Sequence, residues 1–297
     1  MIETKPTLNF EDGHLCGRFS AMASPCEILF DSTDKTRIEP YFLKAIAETK
    51  RIEAKYSRYI RGNLLHRINH SLGKPVLIDD ETYQLLSFAN TCYDISHGMF
   101  DITSGILRQM WRFDGSDNVP SVKAVGKLLP YIGWQRVIYS ESQIILPSGF
   151  ELDLGGIGKE YAVNKTAQLL NESLSDISVL VNFGGDIQVT RPRQDAPFWR
   201  IGIDNPTKQN GTAVVNIAKG GLATSGDANR YLKKGTKRYS HILNPVTGFP
   251  IENAARSITV ASEQCIQAGL LATLAILQGD KAEAFLKQQG LTYWCYR

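Results

Sequence analysis

Apolar residues recur along this chain in two periods. Over 37–56, Phe42, Ala45, Ile46, Ile52 and Tyr56 fall on one side of a 3.6-residue repeat, which predicts an amphipathic helix. The same reading places helices near 81–95, 121–129, 263–278 and 280–289. Another opens at Gly156, with Ala162, Val163, Thr166, Ala167, Leu169 and Leu170 on one side. Ile157 and Tyr161 lie off that side, so Tyr161 is expected to be free to face a ligand. Period-2 character and short apolar runs predict a strand or hairpin over 15–30 and short strands at 136–139, 143–146 and 149–154. Further strands are predicted at 178–183, 198–203, 213–218, 238–243, 256–262 and 292–296. Strands and helices mix without strict βαβ alternation. The expected fold class is therefore α+β, a single domain of mixed, largely antiparallel strands with packed helices. Residues 1–14 are expected to be a loosely ordered N-terminal segment, and the polar stretch 205–211 a surface loop rather than a linker.

Four glycine-rich signals interrupt this pattern in order. They are Asp153-Leu154-Gly155-Gly156-Ile157-Gly158-Lys159, Asn182-Phe183-Gly184-Gly185-Asp186, Ala223-Thr224-Ser225-Gly226-Asp227, and His241-Ile242-Leu243-Asn244-Pro245 running on to Thr247-Gly248. Glycine lets the main chain approach a ligand, and a strand–turn–helix opening points unpaired N–H groups at an anion, so together they suggest a phosphate-bearing ligand. The first is neither a dinucleotide fingerprint, since Tyr161 stands where a third glycine belongs, nor a P-loop, since Glu160 follows Lys159. Each signal also has a plain structural account: a strand-to-helix turn, a hairpin at 182–186, a loop at 224–227, and a histidine fixed in a strand. Likewise Asp101 or Thr103, in Phe100-Asp101-Ile102-Thr103, would serve as a helix cap.

Composition narrows the field. With 43% hydrophobic residues the chain can bury a large core, and a net charge of +3 without charge blocks gives no support to nucleic-acid binding. Five cysteines without paired spacing argue against a disulfide framework or a zinc site. No signal peptide or membrane-span-length apolar run is seen, so the default expectation is the cytoplasm, or the periplasm if an export signal has been removed.

Taken in order, Phe100-Asp101-Ile102-Thr103 and the four glycine-rich signals resemble the ApbE family of FAD:protein FMN transferases, with weaker echoes in Met22, Tyr59 and Asn69. The resemblance covers about residues 20–297. It implies an α+β enzyme that takes FAD with Mg2+ and moves FMN onto a Ser or Thr hydroxyl of a target flavoprotein, releasing AMP. By position it implies FAD contacts at Met22, Tyr59, Met99, Phe100, Asp101, Gly155, Tyr161 and Leu243. His241 becomes the candidate for taking the hydroxyl proton, with Asp227 as a further catalytic candidate. The family's acceptor pattern is missing from this chain, which points to another protein as the acceptor.

Two positions depart from the family pattern. The family's metal-binding aspartate, four residues before a threonine, is Gly269 here, and Glu160 replaces a usual small residue after Lys159. The metal is then expected on Thr273, the Gly158 carbonyl, water and substrate phosphates, or on a carboxylate that the sequence does not place. Restoring a carboxylate with Gly269→Asp is expected to strengthen the metal dependence. The lost aspartate keeps two other readings open: a protein that holds FAD without transferring FMN, and an FAD pyrophosphatase.

Overall fold

The computed structural model describes residues 5–206, 212–227 and 230–297. In chain order, a meander of β1 (Thr7–Glu11), β2 (His14–Ala21) and β3 (Ser24–Phe30) leads into helix α1 (Lys35–Tyr56), α2 (Leu64–Asn69), β4 (Val76–Leu77) and α3 (Asp80–Ile95). A 3-10 helix (Ile102–Gln109), α4 (Val122–Gly126), β5 (Ile138–Tyr139) and β6 (Gln143–Ile145) precede helix α5 (Gly158–Ser173). Then come β7 (Val179–Phe183), β8 (Asp186–Val189), β9 (Trp199–Asp204), β10 (Thr212–Ile217), β11 (Gly220–Gly226), β12 (Tyr231–Lys234) and β13 (Lys237–Ser240). The chain finishes with β14 (Ser257–Ser262), α6 (Cys265–Leu277), α7 (Ala282–Gln288) and β15 (Tyr293–Tyr296).

Eight strands form one antiparallel sheet in the order β1-β2-β3-β7-β8-β11-β14-β15. This is the α+β class expected. Helices α1, α5 and α6 cover one face, with α5 on β7 and β8 and α6 on β11 and β14. The core between them holds Phe30, Phe183, Ile28, Ala162, Leu170 and Ala268. The β9–β10 hairpin carries Trp199, Ile201 and Ile203 into a second cluster with Leu180, Ile187 and Val189. Strand β7 is thus buried on both faces, which its run Val-Leu-Val-Asn-Phe reflects. No helix among the described residues is long and apolar enough to cross a membrane.

Several expectations need correction. Residues 5–14 are not loosely ordered as a whole, because Thr7–Glu11 pairs along its length with β2; residues 1–4 lie outside the described set. The Ala223–Gly226 signal is not a loop but the end of β11, an interior strand that also carries Gly220 and Gly221. A Cβ at Gly221 would lie 2.2 Å from the Cys265 amide nitrogen, so Gly221 makes room for the start of α6, whereas a Cβ at Gly220 or Gly226 would meet the backbone carbonyl of Ser262 or Arg256. Residues 149–154 form no strand. Gly149 lies in a turn, and Leu152 is held instead by Asn69, whose side-chain amide accepts from the Leu152 N–H (2.8 Å) and donates to its carbonyl (3.0 Å). Of the 205–211 loop, residues 207–211 lie outside the described set.

Candidate active site

The chain enters α5 from a knot of charge. Asp153 accepts hydrogen bonds from the Gly155 N–H (2.9 Å) and Arg58 (2.9 Å) and pairs with Arg108 (3.1 Å), so its carboxylate is held by two guanidinium groups and the turn itself. Gly155 and Gly156 are exposed, and the Phe100 ring backs the turn so closely that a Cβ at Gly156 would lie 3.2 Å from it. The Ile157 and Gly158 N–H groups both fold back onto the Leu154 carbonyl (3.0 and 2.7 Å). No side chain caps the helix, and the exposed part of its approach is the backbone at Gly155 and Gly156. Tyr161 is not free as expected: its hydroxyl donates to Glu81 (2.9 Å) on α3. Hydrogen bonds from Arg51, with Lys55 beside it, hold that carboxylate down at about 2.

The next residues of α5 meet the tip of the β7–β8 hairpin. Gly184 and Gly185 take φ of 61° and 97° in a two-residue turn, as a tight hairpin demands, and this delivers Asp186 to the interior. Asp186 is 2% exposed and pairs with Lys159 at 2.8 Å while accepting from the Thr224 N–H (3.3 Å). Burial works to lower the Lys159 pKa, but the charges of Asp186 and Glu160 outweigh it and the ammonium is kept. Glu160 turns toward α6. A Cβ at Gly269 would fall 2.7 Å from Glu160 Cγ and 2.9 Å from Oε1, so the glutamate already fills the space of a side chain at 269. Its Oε2 is out of contact with solvent and has no partner. Burial, with the charge of Asp186 added, pushes this carboxyl well above the usual range. Thr273, one turn along α6 from Gly269, donates to Ser225 Oγ at 3.2 Å. Among the described residues no group of three or more His, Cys, Asp or Glu could hold a metal ion. Any cation here therefore relies on one or two carboxylates, hydroxyls, carbonyls, water and phosphate, a set suited to magnesium.

The third part is the segment after β13. That strand ends at Ser240, so His241 lies just beyond it and not within it. Phe113 meets the imidazole edge-on at 6.2 Å, and Nδ1 is buried without a partner. Burial, then the charges of Arg230 and Arg108, push the His241 pKa down to about 4, so the ring is neutral at pH 7. Asp227 is buried and wholly engaged, accepting from Arg238 Nε and Arg256 Nε, each at 2.7 Å. Both of its oxygens are thus taken up by guanidinium groups. Beyond His241, Leu243 packs into a cluster with Leu107, Trp111, Val125 and Leu232. Asn244 Oδ1 accepts from the Val246 (2.8 Å) and Thr247 (3.3 Å) N–H groups, and Trp111 Nε1 donates to the Gly248 carbonyl (2.9 Å).

Residues 22–295 match the ApbE family. The chain belongs to the ApbE family. It is 26% identical over 260 residues to the FAD:protein FMN transferase of Haemophilus influenzae, covering 82% of this chain and 75% of that protein. The crystal structure of the ApbE protein of Thermotoga maritima matches with a TM-score of 0.86 at 27% identity, over 95% of this chain and 94% of that one. The flavin transferase ApbE of Vibrio cholerae shares the fold, with a TM-score of 0.82 at 24% identity over 98% and 94%.

Within this ApbE fold the remaining predicted residues are distributed unevenly. Met22 sits in the β2–β3 turn, where it and Ala23 both take positive φ (53° and 55°) and the Met22 N–H donates to Glu53 (2.8 Å). Tyr59 is 74% exposed, with its hydroxyl 3.4 Å from Arg108 and its ring 5.8 Å from the Arg58 guanidinium. Met99 packs partly buried against the main core. Asp101 caps the 3-10 helix, accepting from the N–H (2.8 Å) and hydroxyl (2.6 Å) of Thr103 and from the Trp134 N–H (3.0 Å); its carboxylate is thus taken up by protein donors. The sequence reading did not single out Arg58 and Arg108, which link Tyr59 to Asp153. Arg108 also bears on His241, so one side chain ties the first and third parts of the site.

Proposed function

We propose that this chain transfers FMN from FAD to a Ser or Thr hydroxyl of another protein and releases AMP. The observation that carries this reading is the convergence, at one end of the sheet, of the uncapped α5 opening, the Asp186 hairpin tip and the Thr273–Ser225 hydroxyl pair, within a fold whose relatives bear that activity in their names. In the step itself the acceptor oxygen bonds to the FMN phosphorus, the bond from that phosphorus to the bridging oxygen breaks, and AMP leaves with that oxygen. His241 takes the acceptor proton at its unpartnered Nδ1. The ring is neutral at pH 7, and a pyrophosphate drawn beside it raises its affinity for a proton. Arg108 attracts the diphosphate, and the α5 opening orients it through backbone N–H groups. Tyr59, Phe100, Met99, Met22 and Leu243 offer the apolar contacts for the flavin and adenine rings, and Gly155 the close backbone approach. Thr273 and the Gly158 carbonyl are suited to hold magnesium, which when bound supplies charge neutralisation at the diphosphate.

The test is incubation with FAD, magnesium and a candidate flavoprotein subunit, read by flavin fluorescence after denaturing electrophoresis. A fluorescent acceptor band supports the reading, and its rate falls at least ~10²-fold in His241→Ala with FAD affinity kept. Tight FAD binding with no band and no AMP indicates a binding protein. Release of FMN and AMP without a band indicates a pyrophosphatase.

A further inference from the structure

Glycine at 269 and glutamate at 160 are one feature of this structure, not two. The side chain of Glu160 passes from α5 to the α6 face that carries Gly269 and, one turn on, Thr273. It lies so close that any side chain at 269 would collide with it. Of its two oxygens, Oε1 is 2.9 Å from the place of a 269 Cβ, and Oε2 has neither solvent nor a donor. A buried carboxylate oxygen without a partner is expensive, and folds supply a donor or a cation to such a group. The nearby cation does not do so. Lys159 Nζ is committed to Asp186 at 2.8 Å, which leaves two carboxylates and one ammonium in the same interior corner. Thr273, on the same helix face, and Ser225 of β11, 3.2 Å from it, add neutral hydroxyl oxygens.

We propose that Glu160, reaching across from α5, is the carboxylate ligand of a divalent oxygen-preferring cation, in the space that a carboxylate on α6 at position 269 would otherwise occupy. The proposal rests on the transferase reading for its setting, but not for its test, which reads metal binding directly.

The experiment is titration of Mn2+ into the full chain with saturating FAD, followed by electron paramagnetic resonance and with FAD alone as the blank. The unmodified chain binds Mn2+ above the blank. Glu160→Gln, which keeps the shape of the side chain, weakens that binding by at least about tenfold. The double variant Glu160→Ala with Gly269→Asp returns the carboxylate to α6 and recovers most of the affinity. Gly269→Asp alone crowds a second carboxylate against the first and does not tighten binding, contrary to the simpler expectation from sequence. A Glu160→Gln loss smaller than tenfold overturns the proposal, as does an unmodified chain that binds no Mn2+ above the blank. A folded double variant that stays at the Glu160→Gln level also overturns it. In each case the fluorescent-band assay still decides the transferase reading separately.

Discussion

Asp227 and Glu160 are both withdrawn carboxylates at this end of the sheet, yet they are built in opposite ways. Asp227 meets two guanidinium groups at 2.7 Å, one for each oxygen, and its backbone N–H is bonded to the Arg256 carbonyl (3.0 Å). Glu160 has an oxygen with nothing opposite it and shares its corner with a second carboxylate. A carboxylate with its partners built in contributes to the fold. One without them weakens the fold until something binds. The first is satisfied within the fold, although the sequence marks Asp227 as a catalytic candidate, and the second is the group for which a cation is proposed.

The contrast can be broken most forcefully at Lys159. Lys159→Met leaves Asp186 buried without its cation and is expected to lower unfolding stability by ~3–5 kcal/mol, measured by urea denaturation. A loss below about 1 kcal/mol would mean that the acidic corner is relieved by other means. Asp227→Asn should cost less, about 2–3 kcal/mol, because two charged hydrogen bonds are weakened while Arg238 and Arg256 retain partial access to water. A variant as stable as the parent would remove Asp227 from the structural side of the comparison.

His241 adds a pH signature. Its folded pKa lies near 4, below the unfolded value near 6.5, so its neutral form stabilises the fold fully above pH 6.5. That contribution is lost as pH falls from 6.5 toward 4. Relative to His241→Asn, the unmodified chain should therefore lose on the order of 1–2 kcal/mol between pH 7 and 4.5 in paired denaturation curves. Parallel curves would show that the ring titrates normally. The smallest effect is expected from Glu160→Gln in chelator, where a neutral amide replaces a carboxyl that burial already pushes toward its protonated form, so stability is unchanged or rises by up to about 1 kcal/mol. A marked destabilisation there would place Glu160 with Asp227 as a structural ion.

The sequence was most legible where one residue type serves one purpose over a long stretch. The apolar face of α1 includes the buried Phe42, Ala45, Ile46, Ile52 and Tyr56 that its periodicity marks. The β7–β8 hairpin was readable as such from Gly184-Gly185, since a two-residue turn needs positive φ. Strand β11 was not readable, because its glycines answer to the close approach of α6 at Gly221 and of the Ser262 and Arg256 carbonyls at Gly220 and Gly226, and not to a turn. Asp101 was visible both as a cap and as a ligand contact, and only the bonds to Thr103 and Trp134 show where its oxygens go. The meeting of Glu160 with Gly269 was illegible in principle. The two departures stand 109 positions apart and become one statement only when α5 and α6 lie side by side.

The tether from Trp111 to the Gly248 carbonyl bears on what binding to this protein costs. Gly248 takes φ of 71°, and a Cβ there would meet Val125, Leu107 and Leu129 within 3.2 Å, so the turn after His241 is set into the cluster around Trp111. Its backbone freedom is surrendered when the chain folds. A ligand arriving beside His241 finds the turn already ordered, and its affinity is not reduced by the entropy of arranging it.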